Sequence, residues 1–203
     1  MRTTIVLLAA GISSRFGADK LSARLGGIPL MERALNAARN AGSSDLVIVL
    51  QTGSKLARYI PETANIVYNP EPEAGISGSV RLSFNGISGR TDAILFTLAD
   101  QPFVSASMLH RLIDTAEKSS AGIVSYSIGA DPRNPALFKR RYFHELLSIK
   151  GDGGAKFLIK EHENDAFLIE PPRPEFLFDI DTHESMAEAE NILSMLERGS
   201  GTS

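Results

Sequence analysis

The chain has 203 residues, no Cys and no Trp, and its 21 Lys and Arg against 24 Asp and Glu give a net charge of −3. That length fits one large domain or two tightly joined lobes, and 43% hydrophobic with 22% charged residues excludes a disordered chain. Disulfides, thiolate metal sites and a cysteine nucleophile are excluded, and without a basic block a general nucleic-acid binder is not expected.

No apolar run approaches the roughly 20 residues that span a bilayer. The apolar start leads into a glycine loop and not a cleavage site, so the expectation is a soluble, cytoplasmic protein. Thr4–Ala10 is a continuous apolar run, the pattern of a strand covered on both faces. From Ile28 to Ala41 the apolar residues recur at helical spacing, with Pro29 near the start and Gly42 at the stop. Asp45–Leu50, Asn65–Tyr68 and Asp92–Ala99 predict three more strands, the last followed by a helix capped at Ser105 or Ser107 and running through Glu117. Gly122–Ile128 predicts another strand. Strands and helices alternate at βαβ spacing, which predicts an α/β fold with a doubly wound, mostly parallel sheet and helices on both faces.

Beyond Ile128 the rhythm loosens. Residues 133–138 read as a loop leading into a short strand, then a helix near 139–149, a glycine loop at 151–154 and a helix near 155–163. Residues 165–170 and 176–181 read as late strands around Pro171-Pro172-Arg173-Pro174, and a helix near 184–197 closes the chain. One domain over 1–198 with a flexible tail over 199–203 is expected.

The stretch after the first strand is the most informative. Leu8-Ala9-Ala10-Gly11-Ile12-Ser13-Ser14-Arg15-Phe16-Gly17-Ala18-Asp19-Lys20 is a Ser-rich glycine loop carrying one Arg and one Lys. Backbone N–H groups of such a loop can cradle phosphate oxygens, and glycine admits a ligand close to the main chain. No Lys-Ser/Thr pair follows Gly17, and G-x-G-x-x-G is absent, so neither a P-loop nor a dinucleotide fingerprint is present. An ordinary βα turn with two solvated cations explains these residues equally well. Asp100, in Leu98-Ala99-Asp100-Gln101-Pro102, lies just past an apolar strand, at the sheet edge where open α/β folds bind ligands. It suits a Mg2+ ligand or a turn Asp before Pro102. Asp179 and Asp181 fall on one face of the strand expected at 176–181, as metal contacts or as caps of the last helix.

The loop resembles the L-A-A-G-x-S-x-R-x-G-x-x-K signature of the MobA-like nucleotidyltransferases, within them the molybdenum cofactor cytidylyltransferases. Met is usual where Phe16 stands. The resemblance implies that Leu8, Ala9, Ala10, Gly11, Ser13 and Ser14 bind a nucleotide, with Arg15 and Lys20 on its triphosphate. It implies that Asp100 ligates Mg2+, assisted by Asp181 or Asp179, and that Arg15, Lys20 and Asp100 carry the catalysis. Asn69-Pro70 and Gly75-Ile76-Ser77-Gly78-Ser79 resemble the segment beside base and ribose, which assigns Asn69 and Ser79 to the nucleotide; Ser79 also suits the opening of the next helix. Asn134-Pro135-Ala136-Leu137-Phe138 and Gly151-Asp152-Gly153-Gly154-Ala155 resemble acceptor-side segments. Gln101, Asn134, Pro135, Gly151, Asp152 and Gly154 are assigned there, with Arg133 where Gly is usual. Phe178-Asp179-Ile180-Asp181-Thr182 resembles the family's D-I-D-T-P-E-D ending, departing at His183 and Ser185.

The implied reaction is Mg2+-dependent transfer of CMP from CTP to the phosphate of a molybdopterin-type acceptor, with a client molybdoenzyme as a further partner. Ala10 points to CTP, because relatives with L-A-A-G tend to use CTP and those with L-A-G-G tend to use GTP. A sugar-phosphate nucleotidyltransferase or GT-A-like glycosyltransferase, and a non-catalytic nucleotide-binding maturation factor, are the alternatives. His110, His144, His162 and His183 show no ligand spacing and are read as surface or helix residues. Lys139-Arg140-Arg141 is read as solvating a helix, with attraction of a phosphorylated acceptor as its other use.

Overall fold

The computed structural model describes residues 1–12, 16, 19–151 and 154–199. Its elements run β1 (Thr3–Ala9), β2 (Arg24–Leu25), β3 (Ile28–Pro29), α1 (Leu30–Arg39), β4 (Asp45–Gln51), β5 (Asn65–Asn69), α2 (Ile76–Ser83) and β6 (Ala93–Leu98). Then follow α3 (Ala106–Lys118), β7 (Ile123–Ile128), β8 (Asp131–Lys139), α4 (Phe143–Ser148), α5 (Gly154–Glu161), β9 (Ala166–Ile169) and α6 (His183–Gly199). Seven strands form one sheet in the order β5-β4-β1-β6-β8-β7-β9, while β2 and β3 make a small separate hairpin. Every neighbouring pair is parallel except the two made by β8.

Both faces of the central strands are covered, which is why their sequences are apolar without alternation. Ile5, Leu7 and Ala9 of β1 pack on the face covered by α1 and α3. Val6, Leu8 and Ala10 pack on the opposite face, against Val80 of α2, Leu146 of α4 and Leu158 of α5. Burying Leu109 and Leu112 of α3 completely contributes about 1.5–3 kcal/mol each. Ser105 caps α3 as expected, its Oγ accepting the Met108 N–H.

Four sequence expectations change. Residues 131–139 form one nine-residue strand, antiparallel to β6 and β7, in place of a loop and a short strand. Residues 176–181 are not a strand. Pro174 opens a 3-10 turn to Leu177, the Phe178 N–H turns back to Glu175, and the Ile180 N–H reaches Asp100 O, so no ladder can form. Ser79 does not open a helix, because Gly75, with φ of 79°, already takes the cap position and α2 begins at Ile76. The helix expected over 139–149 is a 3-10 turn at Arg140–Tyr142 followed by the short α4. Helix α6 extends to Gly199, and residues 200–203 of the expected tail lie outside the described residues.

A clamp closes the far side of the sheet. Asp165 takes hydrogen bonds from Arg141 Nε and Nη2, from the Tyr142 hydroxyl at 2.6 Å and from the Gly122 N–H at 3.0 Å. Burial raises its pKa, but these donors outweigh burial and hold it at about 2. A carboxylate with a depressed folded pKa stabilises above its unfolded value of about 3.9 and loses that contribution as pH falls through the folded one. Asp165→Asn is therefore expected to lower the melting temperature at pH 7. The gap from the wild type should close between about pH 4 and pH 2, as followed by circular dichroism.

Candidate functional site

The strand ends at one edge of the sheet border a cleft of about 390 Å³. Leu8, Ala9, Ala10 and Gly11 line it from the end of β1, and Leu98, Ala99 and Asp100 from the end of β6. Pro72, Glu73, Gly75, Ile76 and Ser79 form the opposite wall, and Lys20 and Leu21 complete it. Mixed sequence spacing brings these walls together because β1 and β6 pair directly, Leu8 beside Leu98. Ser79 is held from behind: Asn69 Nδ2 donates to its Oγ at 3.1 Å, and Asn69 Oδ1 accepts the Glu71 N–H. Asn69 thus shapes the wall without lining it.

Charge gathers at the end of the cleft. Lys20 Nζ donates to Asp100 Oδ2 at 2.9 Å and to Asp181 Oδ1 at 3.0 Å. Burial pulls the Lys20 pKa down, yet Asp100 first and Asp181 next outweigh it, and the pKa stands above the ordinary lysine value. The ammonium therefore stays charged. Asp179 is pushed up to about 6, chiefly by burial and then by the charge of Asp100, with Gln101 and Arg133 pulling the other way. Asp179 and Asp181 reach the site from irregular backbone rather than from one face of a strand. That backbone is fixed by the Ile180 to Asp100 bond and by Ser185, whose Oγ accepts the N–H groups of Asp181 and Thr182. Ser185 N–H in turn donates to Thr182 Oγ1, a reciprocal cap at the start of α6.

Two carboxylates, Asp100 and Asp181, bond one ammonium, and Asp100 Oδ1 is buried with no partner among the described residues, so its oxygens suit a hard divalent cation. Gln101 Oε1 is also buried and unpartnered among the described residues.

Of the residues singled out in the sequence, the structure brings Leu8, Ala9, Ala10, Gly11, Lys20, Ser79, Asp100, Asp179 and Asp181 to this edge, with Asn69 and Gln101 behind them. Asn134 and Pro135 stand on β8 beyond Ala136, which pairs with Phe96, so they flank the end of β6. Gly151 and Gly154 border the start of α5 and are not among the residues lining the cleft. Ser13, Ser14, Arg15 and Asp152 lie outside the described residues. Pro72 and Glu73 of the cleft wall were not singled out in the sequence; their signal is their position between Asn69-Pro70 and Gly75–Ser79. Lys139-Arg140-Arg141 sits at the opposite edge, Lys139 beside Ala93, where its side chains bond Ser119 O, Gly89 O, Thr91 O and Asp165. It serves the fold and is not placed to meet a substrate in the cleft. Two departures from the resembled motif touch: Phe16 and His183 stack with centroids 4.3 Å apart, tying the loop to the start of α6. Among the described residues, no helix is long and apolar enough to cross a membrane.

The chain matches the model of the MobA-like NTP transferase domain over residues 5–166. A probable molybdenum cofactor guanylyltransferase of Nostoc sp. (strain PCC 7120) is 26% identical over 193 residues, covering 91% of this chain and 88% of that protein. The bifunctional protein GlmU of Roseobacter denitrificans is 28% identical over 145 residues, 69% of this chain, and the chain spans only 31% of its length. The crystal structure of Rv0371c from Mycobacterium tuberculosis H37Rv superposes with a TM-score of 0.78 at 25% identity, covering 94% of this chain and 98% of that one. Rv0371c in complex with manganese gives 0.75, again at 25% identity, over 94% and 99%.

Removing the ammonium leaves the carboxylates facing one another. Lys20→Met is expected to cost about 1–2 kcal/mol, less than a fully buried pair because Asp181 is half exposed. The melting temperature should fall by about 2–8 °C. Added Mg2+ should restore more of it in this variant than it adds to the wild type, as read by scanning calorimetry.

Proposed function

This chain belongs to the MobA-like NTP transferase domain family, and on that footing we propose that it transfers CMP from CTP to the phosphate of a molybdopterin-type acceptor. It is a nucleotidyltransferase. The observation that carries the finer reading is the charged end of the cleft, where Lys20 bridges Asp100 and Asp181 and Asp100 keeps one buried oxygen free of partners among the described residues.

Phosphate monoesters are already ionised at neutral pH, so the nucleophile needs no activated Ser, Cys or His. An oxygen of the acceptor phosphate attacks the α-phosphorus of CTP. A new P–O–P linkage forms, the bond from the α-phosphorus to the bridging oxygen breaks, and pyrophosphate leaves with that electron pair. The protein's part is positioning and charge. Lys20, held protonated, and Arg15 neutralise the triphosphate, Gly11 and the backbone beside it hold the phosphates, and Ser79 lies at the wall assigned to the nucleotide. Asp100 with Asp181 would hold Mg2+, which when bound supplies further neutralisation of the triphosphate. The manganese complex of Rv0371c supports a divalent cation in this fold.

Base choice rests on Ala10, which is buried and lines the cleft. Its methyl group leaves less room beside the base, which favours cytosine. The guanylyltransferase relative of Nostoc makes GTP the competitor to test.

Pyrophosphate release with Mg2+ and molybdopterin, compared for CTP, GTP and ATP, is the direct test. Release with CTP alone supports the reading, and preference for GTP or ATP discards the base assignment. Silence with all three, in protein that binds a nucleotide, discards the acceptor. Asp100→Asn is expected to lower kcat/KM by about 10²–10³-fold while its circular dichroism matches the wild type, and an unaltered rate sinks the metal assignment. Ala10→Gly should raise the GTP to CTP ratio of kcat/KM by about tenfold or more, the scale of one methyl group in a shaped pocket.

A further inference from the structure

The turn between β7 and β8 concentrates positive charge at the edge of the sheet where the cleft opens. Asp131, the first residue of β8, meets Lys156 Nζ at 2.7 Å, Arg133 Nε at 3.1 Å and Lys160 Nζ at 3.3 Å. Among the described residues, each of these cations has Asp131 as its ion-pair partner. Three cations on one carboxylate leave a surplus of two positive charges (3 − 1 = 2). Lys156 and Lys160 are four residues apart on α5, so they stand on the same helix face, and both reach Asp131 Oδ1. All three side chains are about half exposed, so the surplus faces solvent.

The sheet register aims this charge at the catalytic edge. Arg133 pairs with Tyr126 on β7, three residues before Ala136, which lies beside Phe96 of β6. Arg133 therefore stands toward the same strand ends as Asp100. A phosphate monoester approaching this edge meets Asp100, Asp179 and Asp181, all of which repel it, and needs a cationic counterweight on its own side. Lys139-Arg140-Arg141 is at the opposite edge and cannot supply one.

We infer that Arg133, Lys156 and Lys160, gathered by Asp131, form the anion subsite that seats the phosphate of the acceptor. The subsite rests on the proposed transfer for its place in the reaction, but its existence is a separate matter of anion binding. Arg133 occupies a position where the resembled motif carries Gly, so this chain adds a cation of its own. The planar guanidinium can hold two phosphate oxygens at once, whereas the lysines act as point charges.

The test uses the full chain without divalent cations, so that phosphate cannot bind through a metal, and phenyl phosphate as the probe, followed by 31P NMR line broadening. Arg133→Ala is expected to weaken phenyl phosphate binding by about tenfold, the loss of one charge-assisted bond pair. The Lys156→Ala/Lys160→Ala double variant should show a comparable loss, and Arg133→Lys should recover part of it. The dissociation constant for CTP, measured by calorimetry in separate samples that contain Mg2+, should be unchanged in all three. Phenyl phosphate that fails to bind the wild type, or binds wild type and variants alike, overturns the subsite. Equal loss of CTP and phenyl phosphate also overturns it, since the cations then serve the triphosphate. Loss of phenyl phosphate binding in variants of a wild-type chain that binds no CTP upholds the anion site and overturns the nucleotidyl-transfer reading instead.

Discussion

One ammonium held between two carboxylates sets the terms for the rest of this molecule. Lys20, Asp100 and Asp181 are 80 and 81 residues apart along the chain, and they meet because three separate segments end at one edge of the sheet. A lysine as enclosed as this one loses its proton readily unless carboxylates compensate. Here compensation exceeds desolvation, so the site holds a fixed positive charge inside a net negative cluster. The backbone reflects that demand. The 179–181 segment gives up strand pairing to bond Asp100 through Ile180, and Ser185 spends its hydroxyl on the N–H groups of Asp181 and Thr182.

A single cleft with charge of one sign could not serve both partners of a phosphoryl-type transfer. In the proposed transfer triphosphate and acceptor are both anions, and carboxylates that suit a divalent cation repel each of them. The fold separates the two requirements along one edge. The carboxylates and Lys20 stand at the ends of β1 and β6, and the cations around Asp131 stand beyond β8 on the turn from β7. That separation depends on β8 running antiparallel. Its reversed direction carries Arg133 and Asn134 to the strand-end edge and sends Lys139 to the other.

The central sheet and its helices were legible because burial on two faces leaves an unmistakable apolar run, as in β1, β4 and β6. The glycine loop, Lys20 and Asp100 were legible for a related reason: each directly follows such a run. What escaped was settled by long-range pairing. Residues 131–139 contain two prolines and read as a loop, yet β6 and β7 each offer a free ladder that the segment fills. Residues 176–181 read as a strand, but their N–H groups go to Glu175 and Asp100 and not to a ladder. Ser79 was legible as a wall residue but not as a helix interior, since the earlier start depends on the positive φ of Gly75. The cluster around Asp131 was invisible, because Lys156 and Lys160 come from a helix more than 20 residues away.

Departures from the resembled motif show how geometry survives a change of residue. Ser185 stands where an acid is usual and still caps α6, because a hydroxyl can accept from two N–H groups while donating to Thr182 O. Phe16 and His183 stand where the resembled motif usually has Met and Pro, and their rings stack on one another. Both changes keep the final segment attached to the site without touching its charges. Arg133 is of another kind. It stands where the resembled motif has a residue with no side chain, and it changes the electrostatics of the edge assigned above to the proposed acceptor. Neutral replacements conserve the position of Asp181; this one bears on what can be brought to it.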